Sequence, residues 1–338
     1  MNTQEKYSQF ALIREMMQTP EILRNFKLEQ VNEVINAIKQ KGRLFFTGEG
    51  SSRIFPAKNA MYNAKRAGSK LDLATDGGLQ SCCYDLSDYV IFGASNSGQT
   101  KEVIRLFERL KSVNHPYLYA LTANKNTKLE TLAKQTFILK CEKEQAVAAT
   151  KSVAEQGLFY HALLAAIEGN SFDKKLPQLA DAFNTALTMP IDPKITSAVA
   201  NAGTIYFAGK NDGVAEELTL KTNEITRKKS DFLEGTYAVH GIEEVMNEKD
   251  VVILVDPFKS EFEKIQQTLV NGVGMKVIAI CDEETPFPTI KVPDVGELSS
   301  YVYLAAGWNI LVETGISLNI NLDKPQRARK VGNEYMGG

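Results

Sequence analysis

The sequence predicts an α/β protein in which two mainly parallel sheets follow one another along the chain. Three observations carry this expectation. Apolar runs of strand length alternate with helix-patterned stretches. The alternation stops around Pro190 and Pro193, then repeats over a similar length and in a similar order, the mark of an internal duplication. Two early strands run into turns of glycine and serine that open a helix, as strands of a parallel sheet do.

Each element follows from local pattern. Residues 1–41 read as two helices broken near Thr19-Pro20, since proline suits a helix start. The run Leu44-Phe45-Phe46-Thr47 is a buried strand, and 53–66 is the helix after its turn. Further strands are expected at 71–74, 89–92, 118–122 and 137–139, with helices between most of them, 101–111 included. A long apolar helix over 147–167 closes this half, and another covers 175–188. In the second half, strands at 204–208, 251–255 and 276–280 alternate with helices at 214–227 and 261–272, and a last long helix spans 299–318. The expected division is N-terminal helices (1–40), a first α/β domain (41–170), a linker helix (171–195), a second α/β domain (196–320) and a C-terminal tail (321–338).

Composition excludes several classes. The 338 residues suffice for two domains of ordinary size, and a hydrophobic content of 43% gives them a sizeable core. A formal charge of −2 offers no electrostatic ground for nucleic acid or an anionic membrane as partner. Cys82, Cys83, Cys141 and Cys281 form no C-x-x-C pair and have no histidine cluster beside them. Neither a metal site, a disulfide framework nor a cofactor is therefore expected. The polar start, Met1 to Lys6, lacks the apolar run of a signal peptide, and no apolar run approaches membrane-spanning length. The expected location is cytoplasmic.

The most informative stretch is Gly93-Ala94-Ser95-Asn96-Ser97-Gly98-Gln99-Thr100. It lies between an apolar strand and a helix start. Backbone N–H groups and the positive end of the helix dipole there meet short hydroxyls, a setting that suits an anion. The stretch has no Walker lysine and no G-x-G-x-x-G spacing, so a phosphomonoester fits better than a nucleotide. Ser51 and Ser52 close a second such turn, and Val147 to Lys151 offers further amides at the start of the long apolar helix. Two hydroxyl-rich turns at the carboxyl ends of strands can converge on one phosphate. The same residues also serve as plain turn and cap residues, and both readings stand at this point. The turn after 251–255, Asp256-Pro257-Phe258-Lys259-Ser260, has no glycine–serine cluster, which confines the expected site to the first half.

In the second half, Glu217, Lys221 and Glu224 are spaced four and three apart and share one helix face. Such a set is either a solvated face, with ion pairs worth under ~1 kcal/mol each, or it holds a carboxylate tuned for proton transfer. Of the three histidines, His115 precedes a proline and His161 lies in the apolar helix, and both read as structural.

Together these motifs resemble the double sugar-isomerase (SIS) domain family, in particular the isomerase domain of glucosamine-6-phosphate synthase and its stand-alone relatives, over roughly residues 20–331. Gly50-Ser51-Ser52 matches the family's G-[ST]-S, Ser95 to Thr100 its S-x-S-G-x-T, and Val147 to Lys151 its V-A-[SA]-T-K. The resemblance implies that Ser51, Ser52, Ser95, Asn96, Ser97 and Thr100 hold a sugar phosphate, with Val147 and Ala149 also against the substrate. Residues 216–225 resemble the family's E-x-x-x-K-x-x-E-I helix. This implies that Glu224 moves a proton between C1 and C2, with Lys221 and Glu217 as its neighbours. Val239-His240-Gly241 stands at the family's interval for K-H-G, so His240 is implied to help open the sugar ring, usually from across a dimer interface. Residues 323–330 resemble D-x-P-R-N-L-A-K, which implies a tail that reaches the active site and a Lys330 that reacts with the open-chain carbonyl. Such an amine needs a lowered pKa, which Arg327 and Arg329 could favour as cationic neighbours. The implied fold is two tandem SIS domains, each a mainly parallel sheet flanked by helices in a flavodoxin-like three-layer sandwich.

The sequence departs from the family pattern at four places. Val239 replaces the lysine before the histidine, Tyr237 an acidic residue, Ala149 a serine, and Arg329 the small residue before the final lysine. These bear on the substrate more than on the reaction type. The synthase's glutaminase domain, which needs an N-terminal cysteine, has no counterpart, since the first cysteine is Cys82. The implied activity is that of a phosphosugar isomerase or deaminase acting on an amino-sugar or fructosamine 6-phosphate: a glucosamine-6-phosphate deaminase or a fructosamine-6-phosphate deglycase. The implied assembly is a homodimer with shared active sites. A simple ketose/aldose phosphate isomerase and a non-catalytic sugar-phosphate sensor are the alternatives. Glu224, His240 and Lys330 weigh against the sensor.

Overall fold

The computed structural model describes residues 1–2, 4–327 and 334–335. Its first elements are α1 (Glu5–Ser8), α2 (Ala11–Arg24), α3 (Asn32–Lys41), β1 (Arg43–Thr47), α4 (Ile54–Arg66), β2 (Asp72–Asp76), α5 (Gly78–Ser81) and β3 (Val90–Ala94). Then come α6 (Lys101–Ser112), β4 (Leu118–Thr122), α7 (Lys128–Leu132), β5 (Gln135–Ile138), α8 (Lys151–Ile167), α9 (Leu176–Thr188) and α10 (Pro193–Asn201). The last are β6 (Thr204–Gly209), α11 (Val214–Thr226), β7 (Lys229–Glu234), β8 (Val251–Val255), α12 (Phe262–Ile265), β9 (Lys276–Cys281), β10 (Thr289–Lys291) and α13 (Ser299–Ser317). Among the described residues no helix is long and apolar enough to cross a membrane.

The described strands make two five-stranded sheets, each in its own compact unit. One unit holds Glu21–Gln145 and Ala149–Leu176 together with Glu334 and Tyr335. Its parallel sheet runs β2-β1-β3-β4-β5. Side chains alternate between the two faces of a strand. Phe45, Ile91 and Ala120 pack against Val103, Ile104 and Phe107 of α6 and Leu129 of α7. Phe46 and Phe92 project to the other face and meet α8, the Phe46 and Tyr160 rings lying 4.5 Å apart. Burial of α8 from Lys151 to Leu164 explains why it is apolar all round.

The other unit holds Met1–Pro20, Ala146–Ala148 and the described residues of 177–327. Its parallel sheet runs β10-β9-β8-β6-β7. Counted from the first strand of each unit, both orders are second, first, third, fourth, fifth, so the duplication seen in the sequence is a duplication of topology. Tyr206, Ala208, Val252, Leu254, Val277 and Ala279 form one core with Ile265, Leu269 and Met275. The buried helix α13 lies against α11. A Cβ at Gly307 would stand 2.2 Å from the Leu218 side chain, so only glycine permits this approach.

Several elements differ from the sequence pattern, each for a physical reason. Pro20 lies inside α2 rather than at a helix start. Burial of Leu12, Ile13, Met16 and Leu23 outweighs the roughly 3 kcal/mol that a mid-helix proline costs. Pro193 does start a helix, and Asp192 caps it by accepting the Lys194 N–H at 2.8 Å. Strands β7 and β10 are additional. β7 is an edge strand in which Leu233 alone is fully buried, and β10 has only three residues. The helix expected over 261–272 is a 3-10 turn at Lys259–Glu261, then α12, then a π-helical run over Gln266–Val273. Helix α8 starts at Lys151 rather than 147.

Candidate active site

Strands β1 and β3 are neighbours, with Thr47 opposite Gly93, yet their chains leave in opposite directions across the sheet. This is the topological switch point, where the carboxyl ends of parallel strands leave a crevice. The two hydroxyl-rich turns predicted from sequence flank it.

The first turn is closed by hydrogen bonds from Ser52 N to Glu49 O and from Arg53 N to Gly50 O, at 3.2 and 2.9 Å. A Cβ at Gly48 would lie 2.8 Å from the Ser52 carbonyl and 3.2 Å from that of Ala94, so glycine is required where the turn folds over the end of β3. Ser51 is buried and Ser52 half-buried. Beside them Glu49 accepts the Gly78 N–H at 2.7 Å, and burial pushes its carboxyl above the usual range.

The second turn is held from several sides. Ser95 Oγ meets Thr100 Oγ1 at 2.7 Å and accepts the Thr100 N–H at 3.3 Å, while Ser97 Oγ accepts the Gln99 N–H at 3.1 Å. The Asn96 carbonyl accepts Ala123 N, Thr122 Oγ1 and Asn124 Nδ2 from the end of β4. Gly98 has φ +65 and packs so closely on Thr127 that a Cβ would stand 2.4 Å away. The end of the chain adds a further tie. Glu334 bridges to Thr100, Tyr335 N donates to Gln99 O at 2.9 Å, and Tyr335 OH donates to Glu108 at 3.1 Å. Lys128 pairs with the same Glu108 at 2.9 Å and lies 5.3 Å from the Tyr335 ring centre.

Helices α4 and α6, which follow these turns, both start without a side-chain cap. The first turn of α4 has no acidic residue, and that of α6 has Glu102; a helix start of this kind suits an anion. The start of α8 is different, and the expectation of free amides there is corrected. Glu144, fully buried, accepts the N–H groups of Thr150 and Ser152 at 2.7 and 3.3 Å. A carboxylate already occupies that helix end. Asn96 is also committed, its Nδ2 donating to Glu144 at 2.9 Å rather than facing the crevice as a free donor. Val147 and Ala149 are each half-buried.

The second unit has the equivalent switch point between β6 and β8. There an ion pair between Lys210 and Asp256 stands in place of hydroxyls, and Asp212 accepts the Val214 N–H of α11 at 3.0 Å. Burial pushes the Asp212 carboxyl up to about 6, partly offset by that N–H. This helix start is filled by the protein's own acid.

Along α11 the three predicted charged residues come together. Lys221 Nζ lies 3.3 Å from Glu217 and 2.6 Å from Glu224. The side chains of Glu217 and Lys221 are 0% exposed and that of Glu224 is 23% exposed, so the solvated-face alternative fails. A missed residue fixes the end of this helix. Arg227, in the left-handed conformation, donates to the carbonyls of Glu224 and Ile225 and reaches Asn321 O at 2.8 Å. Burial holds its pKa below the usual value. Two residues on, Asp323 accepts the Ala11 and Leu12 N–H groups at 2.8 and 2.9 Å. The tail is thereby pinned beside the end of α11. Lys330 and Arg329 lie outside the described residues.

His240 is exposed and follows β7 at the carboxyl edge of the sheet. Glu224 sits near the end of α11, at the opposite edge, and the six-residue β7 between them spans about 20 Å. Within one chain the two are not brought together. His115 bonds the Leu86 carbonyl at 3.1 Å and His161 packs on Phe172, both in structural settings. Among the described residues no cluster of acidic, histidine and cysteine side chains could hold a metal ion.

Comparison with known proteins agrees with this architecture. Residues 37–166 match the family model described as "SIS domain". A comparison with curated protein sequences gives no match. Among solved structures, the C-terminal domain of glucosamine-fructose-6-phosphate aminotransferase from Francisella tularensis is similar at TM-score 0.79 and 15% identity, over 94% of this chain and 98% of that one. The tagatose-6-phosphate ketose/aldose isomerase of Escherichia coli is similar at 0.76 and 16%, over 97% and 100%. Glucosamine-6-phosphate deaminase of Thermotoga maritima is similar at 0.74 and 19%, over 95% and 98%. Residues 37–166 thus match an SIS domain, and nearly the whole length of the chain shares the fold of these three proteins.

Proposed function

We propose that this chain is a phosphosugar isomerase-type enzyme acting on an amino-sugar or fructosamine 6-phosphate. The observation that carries the reading is the Glu217–Lys221–Glu224 set on α11. A sensor needs hydroxyl turns and open helix ends to hold phosphate. It has no use for a fully buried cation beneath a part-exposed carboxylate.

The phosphate is held at the first switch point by the amides that open α4 and α6, with Ser51, Ser52, Ser95, Ser97 and Thr100 around them. His240 helps open the sugar ring. Glu224 then takes a proton from one of the two adjacent carbons and returns it to the other, with Lys221 offsetting the change of charge. For a fructosamine phosphate the proton leaves C1 and arrives at C2. The enaminol becomes a C1 imine, and water hydrolyses it to an aldose phosphate and a free amine. For glucosamine 6-phosphate the proton runs from C2 to C1, and the C2 imine hydrolyses to ketose phosphate and ammonia. Lys330 takes the role the family resemblance implies: its amine condenses with the open-chain carbonyl as water leaves, and hydrolysis of that imine later frees the lysine. Since His240 and Glu224 lie at opposite edges of one sheet, a histidine acting beside Glu224 comes from a second copy. This supports a homodimer with shared sites.

The test is a panel of phosphosugars assayed for ammonia, for released amino acid and for hexose 6-phosphate. Release of an amine with equimolar hexose phosphate is expected. Interconversion of ketose and aldose phosphates alone would replace the reading with a simple isomerase, and binding without turnover across the panel would replace it with a sensor.

A further inference from the structure

Glu144 lies in the polar stretch Cys141-Glu142-Lys143-Glu144-Gln145, where nothing in the sequence marks it out. The structure buries it completely and surrounds it with donors. One oxygen accepts Thr150 N at 2.7 Å, Ser152 N at 3.3 Å and Thr150 Oγ1 at 3.4 Å. The other accepts Ser152 Oγ at 2.7 Å and Asn96 Nδ2 at 2.9 Å. Four of these bonds come from the start of α8, and the fifth comes from the middle of the hydroxyl turn.

We propose that Glu144 is a positioning residue for the anion site, locking the 95–100 turn to the start of α8. This rests on the reading of that turn as a phosphate site. A carboxylate has about four lone-pair positions, and five donors exhaust them. Glu144 therefore has no capacity left for substrate and acts through Asn96. That residue is gripped twice, its carbonyl by the end of β4 and its side chain by Glu144. Gripping Asn96 fixes its neighbours Ser95 and Ser97, whose hydroxyls define the turn. Without the bond to Glu144 the side-chain anchor is lost and only the backbone anchor remains.

The placement also opposes simple electrostatics, since a carboxylate beside an anion site repels the ligand. The two roles therefore predict opposite signs on neutralisation. If Glu144 contributed mainly its charge, Glu144→Gln would strengthen phosphate binding. As a positioning residue it does the reverse, because the glutamine NH2 would face the Asn96 NH2, and relieving this requires the Asn96 amide to turn away from its present orientation.

The experiment measures the affinity of the full chain for inorganic phosphate and for sorbitol 6-phosphate, which has no carbonyl to react. Wild type, Glu144→Gln, Ser152→Ala and Ser97→Ala are compared, with thermal melts of each. The expected result is that Glu144→Gln, folded at the assay temperature, binds both ligands about tenfold more weakly. KM should rise by the same factor while kcat at saturation stays within about twofold. Ser152→Ala removes one bond from the same oxygen that holds Asn96 and should weaken binding about two- to threefold, which keeps the test intact if Glu144→Gln fails to fold. Unchanged or tighter binding in the folded variants overturns the positioning role. Wild type that binds neither ligand, or Ser97→Ala that binds both unchanged, overturns the phosphate reading itself and with it this inference.

Discussion

Removing the buried cation of α11 should expose what it holds. In Lys221→Met the side chain keeps its length and apolar stem, but Glu217 loses the ammonium 3.3 Å away and stays 0% exposed. Burial then raises the carboxyl above its usual range. Removing one partner of a buried pair costs about 3–5 kcal/mol. The cost is smaller at pH 5, where protonating the carboxyl takes less free energy. The sign follows from the raised folded pKa: stability is fully present below the unfolded value and is lost as pH rises toward the folded one. Urea unfolding of wild type and variant at pH 5 and pH 7 measures both terms. The variant should lose about 4 kcal/mol at the higher pH and far less at the lower. Glu217→Gln in the same chain should recover most of the loss, since the pair is then neutral on both sides. A loss under about 1 kcal/mol at pH 7, or an equal loss at both values, would refute the view that Lys221 serves as a buried counter-charge.

Four further outcomes are expected. Glu224→Gln should lower kcat by roughly two to four orders of magnitude, with sorbitol 6-phosphate affinity nearly unchanged; near-wild-type kcat removes Glu224 from the chemistry. Mixing inactive Glu224→Gln and His240→Ala chains should restore about one quarter of wild-type activity, because half the random dimers carry one intact shared site; no recovery after subunit exchange argues against sharing. Asp212, raised by burial to about 6, destabilises the fold as pH climbs from about 4 to 7. Asp212→Asn should therefore add up to about 3 kcal/mol at pH 7.5 and little at pH 4, and denaturation at the two pH values checks it. Tyr335→Ala removes the bond to Glu108 and the ring beside Lys128, and KM for the sugar phosphate should rise about fivefold with little change in melting temperature; unchanged KM would make the tail contact incidental.

The fold was legible where a strand is buried on both faces and a helix has one apolar stripe. It was obscured where burial is thin. β7 reads Lys229-Ser230-Asp231-Phe232-Leu233-Glu234, a polar edge strand with too few apolar residues to show a period. Pro20 looked like a boundary because its cost is local, whereas the burial that overrides it is tertiary. The hydroxyl turns could be read because glycine and serine cluster where strand meets helix. Lys221 carried a signal that residue type alone hides, since it falls on the stripe Val214, Leu218, Lys221, Ile225, in register with buried positions. Glu144, Arg227 and Tyr335 carried none, because a charged loop residue, a helix-end arginine and a tail tyrosine look alike whether solvated or engaged.

The two halves share one topology and differ at the matching place. A helix N-terminus can be satisfied by a carboxylate of the protein or by an anion from solution, and the first excludes the second. At the second switch point Asp212 takes the first amide of α11, and the Lys210–Asp256 pair stands across the crevice. Glu144 does the same for α8. At the first switch point α4 and α6 have no capping side chain, Glu102 lies in the first turn of α6, and hydroxyls line the turns before both helices. The duplicated fold thus separates two tasks by a few residues at equivalent turns. The first half leaves α4 and α6 without a capping side chain, which is where the proposed phosphate site lies. The second closes its own helix start and carries the buried charge set along α11 instead.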